Sequence, residues 1–138
     1  MSIPQLNESP HLETANQTLC GTLSLLFALL LTELEQAVAR SGGKALAAEF
    51  ERRMNQYAEQ HGWSVLTGLA HLSDVRECVP DVDARMLSSV YVSYAQYARK
   101  LAWQILGEQM LASTLTACLN KLPPHAAEIN RQYRIISV

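Results

Sequence analysis

The first 39 residues contain no lysine and no arginine. A secretory leader opens on positive charge, so the absence excludes that reading of the apolar run near the start, Thr18 to Gln36. The chain is poor in charge throughout: Asp, Glu, Lys and Arg make up 17% of it, against about 25% in ordinary globular domains. With a net charge of −2 and no basic helix, there is no electrostatic footprint for nucleic acid or an anionic membrane. The acids Glu8, Glu13, Glu33 and Glu35 occupy the base-free segment and every base lies from Arg40 onward, an asymmetry too mild to name a partner.

Cysteine is scarce as well. Cys20, Cys78 and Cys118 form no CxxC pair and sit beside aliphatic residues, the pattern of buried reduced thiols in a cytoplasmic protein. Catalytic signatures are missing in the same way. "SGGKA" at Ser41–Ala45 lacks the glycine and hydroxyl of a phosphate loop, having Val38 and Ala45 in those places. GxGxxG, GxSxG and HExxH do not occur. The one Glu-x-x-His, Glu8 to His11, contains Pro10 and lies in the opening segment, which rules out the facing pairs of a di-iron bundle.

What is present is apolar helix. Hydrophobic residues make up 49% of 138 residues, enough for one domain that buries roughly two-thirds of its unfolded surface without disulfides or metals. The run from Leu19 to Leu31 is too short and too interrupted, by Gly21, Thr22 and Ser24, for a membrane span of about 20 residues. It reads as a core helix, and no membrane partner is expected.

Residues 1–13, with Pro4 and Pro10, read as a flexible N-terminal arm, and 14–138 as a single helical-bundle domain. Thr14 and Gln17 fit a capping box for a first helix that ends at Gly42-Gly43. Leu19, Leu23, Leu26, Leu30, Leu34 and Ala37 form its stripe, while Leu25, Phe27, Leu29 and Leu31 fall outside it. Such a helix must be covered on all sides, either by its own domain or by a second subunit. Leu25 and Leu29 are the expected dimer contacts.

A conventional amphipathic helix follows from Lys44 to about His61, with Leu46, Phe50, Met54 and Tyr57 inward. Trp63 to Val79 is weakly patterned: one irregular helix, or two split near Ser73-Asp74. Asp81 or Asp83 caps the next element, and 84–122 is one long helix or two joined at Gly107. Pro123-Pro124 closes it, a short helix starts near Ala126, and "YRIISV" either docks on the body or leads into a further domain. The expected fold class is all-α, a bundle of four to six helices around a central apolar N-terminal helix.

Two groups are candidates for chemistry. His71, Asp74 and Cys78 share a helical face at metal-ligand spacing, but no fourth ligand accompanies them, so no metal site is expected. The "HLSDVRE" stretch lacks the company of a phosphoacceptor histidine. Tyr91, Tyr94, Tyr97 and Trp103, apolar bodies with polar tips, are the best candidate surface, either core edge and interface or the lining of a ligand slot that His71 joins.

No cofactor is expected. The leading expectation for function is a non-enzymatic regulatory, signalling or scaffold module acting as a cytoplasmic homodimer, with a protein partner possible. The second is a small-molecule or haem-type sensor with a Tyr/Trp-lined pocket. The absence of a positioned acid–base pair weighs against an enzyme.

Overall fold

A computed structural model describes residues 15–138 in full; only the first helix begins before them. The fold is all-α. Six helices occur, α1 (Ile3–Gly42), α2 (Lys44–Gln60), α3 (Trp63–Thr67), α4 (Ala84–Leu106), α5 (Glu108–Asn120) and α6 (Pro124–Tyr133), with a 3-10 segment at Leu72–Arg76 and no strand among the described residues. The arm expected over 1–13 and the Thr14 end of the capping box lie outside the described residues.

Helix α1 is the axle of the bundle. Leu23, Leu26, Phe27, Leu30, Leu34 and Val38 are fully buried, covered by α4, α2, α5, the 3-10 segment and α6. Phe27 and Leu31, off the leucine stripe, are thus hidden by the chain's own helices. Residues Ala15–Gly42 meet the length and composition of a membrane-crossing helix, and 56% of the most apolar window is buried inside the protein.

Helix ends follow local chemistry. Gly43, with φ 89°, breaks α1 from α2, and Gly107, with φ 82°, breaks α4 from α5; a side chain would be strained in either conformation. The 84–122 element is therefore two helices. Asp83 caps α4, its side chain accepting from the Arg85 and Met86 amides at 2.8 and 3.3 Å. Asn16 of α1 clamps the same corner, donating to the Val82 carbonyl and accepting from the Ala84 amide, both at 2.9 Å.

The weakly patterned stretch divides earlier than the expected Ser73-Asp74. Gly68, left-handed at φ 75°, ends α3, and the chain restarts at His71 as the 3-10 segment, with the Asp74 carboxylate accepting from the His71 amide at 2.9 Å. Cys78, expected to be buried, is exposed just beyond it, because the segment ends at Arg76 and carries no helical face as far as residue 78. The C-terminal tail docks on the body: Ile135 and Ile136 are buried. Asn130 brackets Ile136, donating to its carbonyl at 2.9 Å and accepting from its amide at 2.8 Å, and Arg99 donates to the Ser137 carbonyl at 2.8 Å.

Candidate functional site

The tyrosines of α4 belong to an aromatic cluster running from the axle to the surface. Tyr91 is fully buried; its ring stacks on Phe27 at 4.4 Å, and its hydroxyl pairs with Ser24 of α1 at 2.8 Å. Burial drives the Tyr91 phenol far above its ordinary range, with the Ser24 bond opposing weakly. Tyr94, also buried, meets Tyr57 edge-on at 5.3 Å and Trp63 at 5.9 Å, and desolvation raises its phenol too. Tyr97 lies further out, stacked on Tyr57 at 4.0 Å. On the other side of Tyr57 stacks His61, at 4.0 Å, whose Nδ1 donates to the Tyr57 carbonyl at 2.8 Å. Offset and edge-on pairs of this kind add about 0.5–1.5 kcal/mol each beyond their burial.

The structure thus brings together Tyr91, Tyr94 and Tyr97 but leaves Trp103 and His71 apart from them. Trp103 is 54% exposed near the end of α4, while His71 is exposed on the rim of a different hollow. The residue that completes the aromatic cluster is Trp63, 1% exposed, which no sequence pattern singles out. It sits at the start of a five-residue helix, too short to leave a periodic trace. Its indole Nε1 is the one buried side-chain nitrogen or oxygen among the described residues without a hydrogen-bond partner.

Beside Trp63 opens a cavity of about 710 Å³ lined by Arg52, Asn55, Gln56, Glu59, Ser64 and His71 among others. Its volume falls in the range of small-molecule sites, and its polar side chains stand beside the apolar surface of Trp63 and Ala70. Arg52 is held by Glu49 through bonds of 2.9 and 2.6 Å, an exposed pair that keeps the Glu49 carboxyl down at about 2. Asn55 is likewise occupied, accepting from the Leu72 amide at 3.0 Å.

A second feature lies on α1 itself. Thr18, Thr22, Leu25, Leu29, Thr32 and Gln36 are the residues along the centre of the face that the bundle leaves partly open. They follow one another at intervals of four and three, the spacing of a coiled-coil seam, and none is charged. Leu25 is 51% exposed and Leu29 partly buried against the core. A methyl group placed on Gly21, one turn away, would meet nothing within 4 Å, so the surface there is open.

The seam is bordered by acids that neighbouring elements hold in place. On one side Glu33, largely buried, accepts from Lys121 at 2.6 Å. On the other, Glu35 stands in the cleft towards α2 with Glu51 and Arg76. No protein-family model, curated protein or solved structure matches this chain.

No cluster of three or more metal-ligating side chains occurs among the described residues. Cys20 and Cys118 are buried, and desolvation raises both thiols, Cys118 to about 11. A raised thiol pKa removes the thiolate that nucleophilic chemistry needs.

Proposed function

We propose that this chain is a non-enzymatic regulatory or scaffold module that works by contact, pairing as a homodimer in a reducing, cytoplasmic setting through the open face of α1. The observation that carries the reading is the seam Thr18–Thr22–Leu25–Leu29–Thr32–Gln36: an uncharged, coiled-coil-spaced strip on a helix whose other faces are sealed by the domain. At 1.5 Å per residue it runs for about 27 Å. A two-fold axis across it would set each subunit's strip against its twin, with the Glu33–Lys121 pair and the Glu35 cluster on the rims.

The two leucines placed at the interface from the pattern sit in the middle of this strip. The test is the association state of wild type and of Leu25→Glu and Leu29→Glu variants by sedimentation velocity. Leu25→Glu is the cleaner of the two, because Leu29 also packs against the core. A dimeric wild type and a folded monomeric Leu25→Glu variant are expected; identical stoichiometry in both overturns the reading.

A second reading, a small-molecule sensor, draws support from the 710 Å³ cavity that His71 and Trp63 line. The Tyr/Trp slot expected from the sequence gains no support, since Tyr91 and Tyr94 are packed into the core and Trp103 lies outside the aromatic cluster. The walls combine the Trp63 and Ala70 side chains with Arg52, Asn55, Gln56 and Glu59, which suits a small metabolite with both apolar and polar parts. Native mass spectrometry of freshly purified protein tests this: retained mass that is lost on substituting His71 would favour the sensor over the contact module.

A further inference from the structure

In the cavity beside Trp63 and in the cleft between α1 and α2, acidic and basic side chains are equal in number. The groove between α1 and α5 is different: it is lined by Arg40 and Lys121 against the single acid Glu33. Its volume is about 410 Å³, within the range of small-molecule sites.

Two contacts bridge the helices across this groove. At one end Lys121 Nζ donates to Glu33 Oε1 at 2.6 Å. At the other, Ser41 Oγ donates to Met110 Sδ at 3.1 Å. From Glu33 to Ser41 the helix rises about 12 Å, so the bridges enclose a space of metabolite length. Ala37 and Thr114, both buried, lie along its floor, and the Thr114 hydroxyl is spent on the Met110 carbonyl at 2.8 Å. Ala37 on α1 and Ala117 on α5 are too small to fill the gap.

Gln36, Arg40 and Ser113 also line the groove. None of the three side chains makes a hydrogen bond or ion pair among the described residues, where the ion pairs are those of Glu49, Glu33 and Glu128. Because Glu33 already answers Lys121, Arg40 is the unmatched charge of the walls. A guanidinium offers a planar fork of N–H donors that meets a carboxylate or phosphoryl group through two parallel bonds. The Ser113 hydroxyl and the Gln36 amide can donate beside it.

We propose that the α1–α5 groove binds a small molecule carrying an oxyanion, a carboxylate or phosphoryl group. Arg40 receives the anion, and Gln36 and Ser113 supply flanking donors. The matched Glu33–Lys121 pair closes the far end without cancelling the charge at Arg40. One unmatched cation suits a single anionic group and is too little for a polyanion, whose binding draws on several basic contacts. Gln36 also ends the uncharged strip of α1, so an occupied groove borders the proposed pairing face, yet binding needs only one chain.

The test titrates the full chain with sodium phosphate and, separately, sodium acetate, each against sodium chloride at matched ionic strength and constant pH. The Arg40 Nε–H signal and the Ser113 and Ala117 amides are followed by NMR. Saturable shifts with at least one oxyanion, and none with chloride, are expected. A response to phosphate alone assigns a phosphoryl ligand, and a response to acetate alone a carboxylate. Arg40→Gln should weaken binding by about tenfold or more, the scale of one charge-assisted hydrogen bond. Arg40→Lys, which keeps the charge and loses the fork, should retain part of the binding. Arg53→Gln, on the outer side of α2, should change nothing. If Arg40→Gln fails to fold, Ser113→Ala takes its place and should bind several-fold more weakly than wild type. Shifts that grow linearly with every salt alike, or binding that the folded groove variant leaves unchanged, overturn the proposal whatever the association state.

Discussion

Truncating Leu25 measures the seam directly. Leu25 exposes 51% of its surface in the single chain. Full burial of a leucine contributes about 1.5–3 kcal/mol, so covering the exposed half is worth about 1 kcal/mol. A two-fold interface contains the residue twice, and Leu25→Ala should weaken the dimer by about 2 kcal/mol, or roughly 30-fold in dissociation constant. Leu25→Glu goes further, since it places two carboxylates on one desolvated strip, and should leave monomer at all practical concentrations. Neither change should alter the folding of the isolated subunit by more than about 0.5 kcal/mol, the scatter of ordinary surface substitutions. Sedimentation velocity across a concentration series gives the dissociation constant, and urea unfolding in the monomeric range gives the stability. Val65, 91% exposed on α3, supplies the control: Val65→Glu should leave association untouched. If Leu25→Ala and Leu25→Glu associate as wild type does, α1 is not the interface and the contact reading falls with it.

The buried Ser24–Tyr91 pair should behave as a coupled unit: Ser24→Ala and Tyr91→Phe each strand a buried hydroxyl at about 1–3 kcal/mol, whereas the double variant loses less than the sum, and additive urea midpoints would refute the bond. Alkaline titration followed by phenolate absorbance should leave Tyr91 un-ionised in the folded state; because its pKa is raised on folding, stability should begin to fall above the ordinary phenol range near 10, and ionisation of all five tyrosines together before unfolding would contradict this. Iodoacetamide at neutral pH should label Cys78, which is exposed, and spare Cys20 and Cys118 until denaturant is added; peptide mass spectrometry distinguishes the three sites. Asn130→Ala should release the C-terminal tail by removing both bonds to Ile136, at about 1–3 kcal/mol, read as faster amide exchange at Ile136; unchanged protection there would count against the bracket.

The bundle was legible in the sequence where periodicity ran long. Lys44 to about His61 matches α2 within a residue, and the leucine stripe of α1, past the partly buried Leu19, marks residues that are buried, because a run of several turns repeats its signal often enough to read. Gly43 and Gly107 were legible for another reason: each occupies a left-handed position that other residues avoid. Short segments were not. Trp63–Thr67 and Leu72–Arg76 each span five residues, less than two turns, so neither their break at Gly68 nor the exposure of Cys78 could be read from spacing. Long-range polar pairing was equally hidden. Glu33 and Lys121 are 88 residues apart, and nothing in either neighbourhood announces the other. Ser24 left a faint sign, a hydroxyl within an apolar run that burial obliges to find a partner, but the identity of Tyr91 came only with the fold. Tyr91, Tyr94 and Tyr97, expected together as a surface, fall in one aromatic cluster with Tyr91 and Tyr94 buried, whereas Trp103 and His71 lie apart from it.

The apolar residues of α1 fall into two sets, and only the second bears on the proposed pairing. Phe27 and Leu31 are apolar because α4, α2 and the 3-10 segment close over α1, so a single chain accounts for them. Leu25 and Leu29 are different. Leu25 is half exposed and Leu29 partly buried, on the side that the described helices leave partly open, yet the sequence there avoids charge from Thr18 to Thr32. A face meant only for water gains solubility from Lys or Glu and loses nothing by carrying them; the second helix, α2, follows that rule with Glu49, Glu51, Arg52 and Arg53 on its outer side. The contrast between two neighbouring helices of one domain is what composition alone could not express: the uncharged open surface of α1 is a strip of six residues, not its whole circumference.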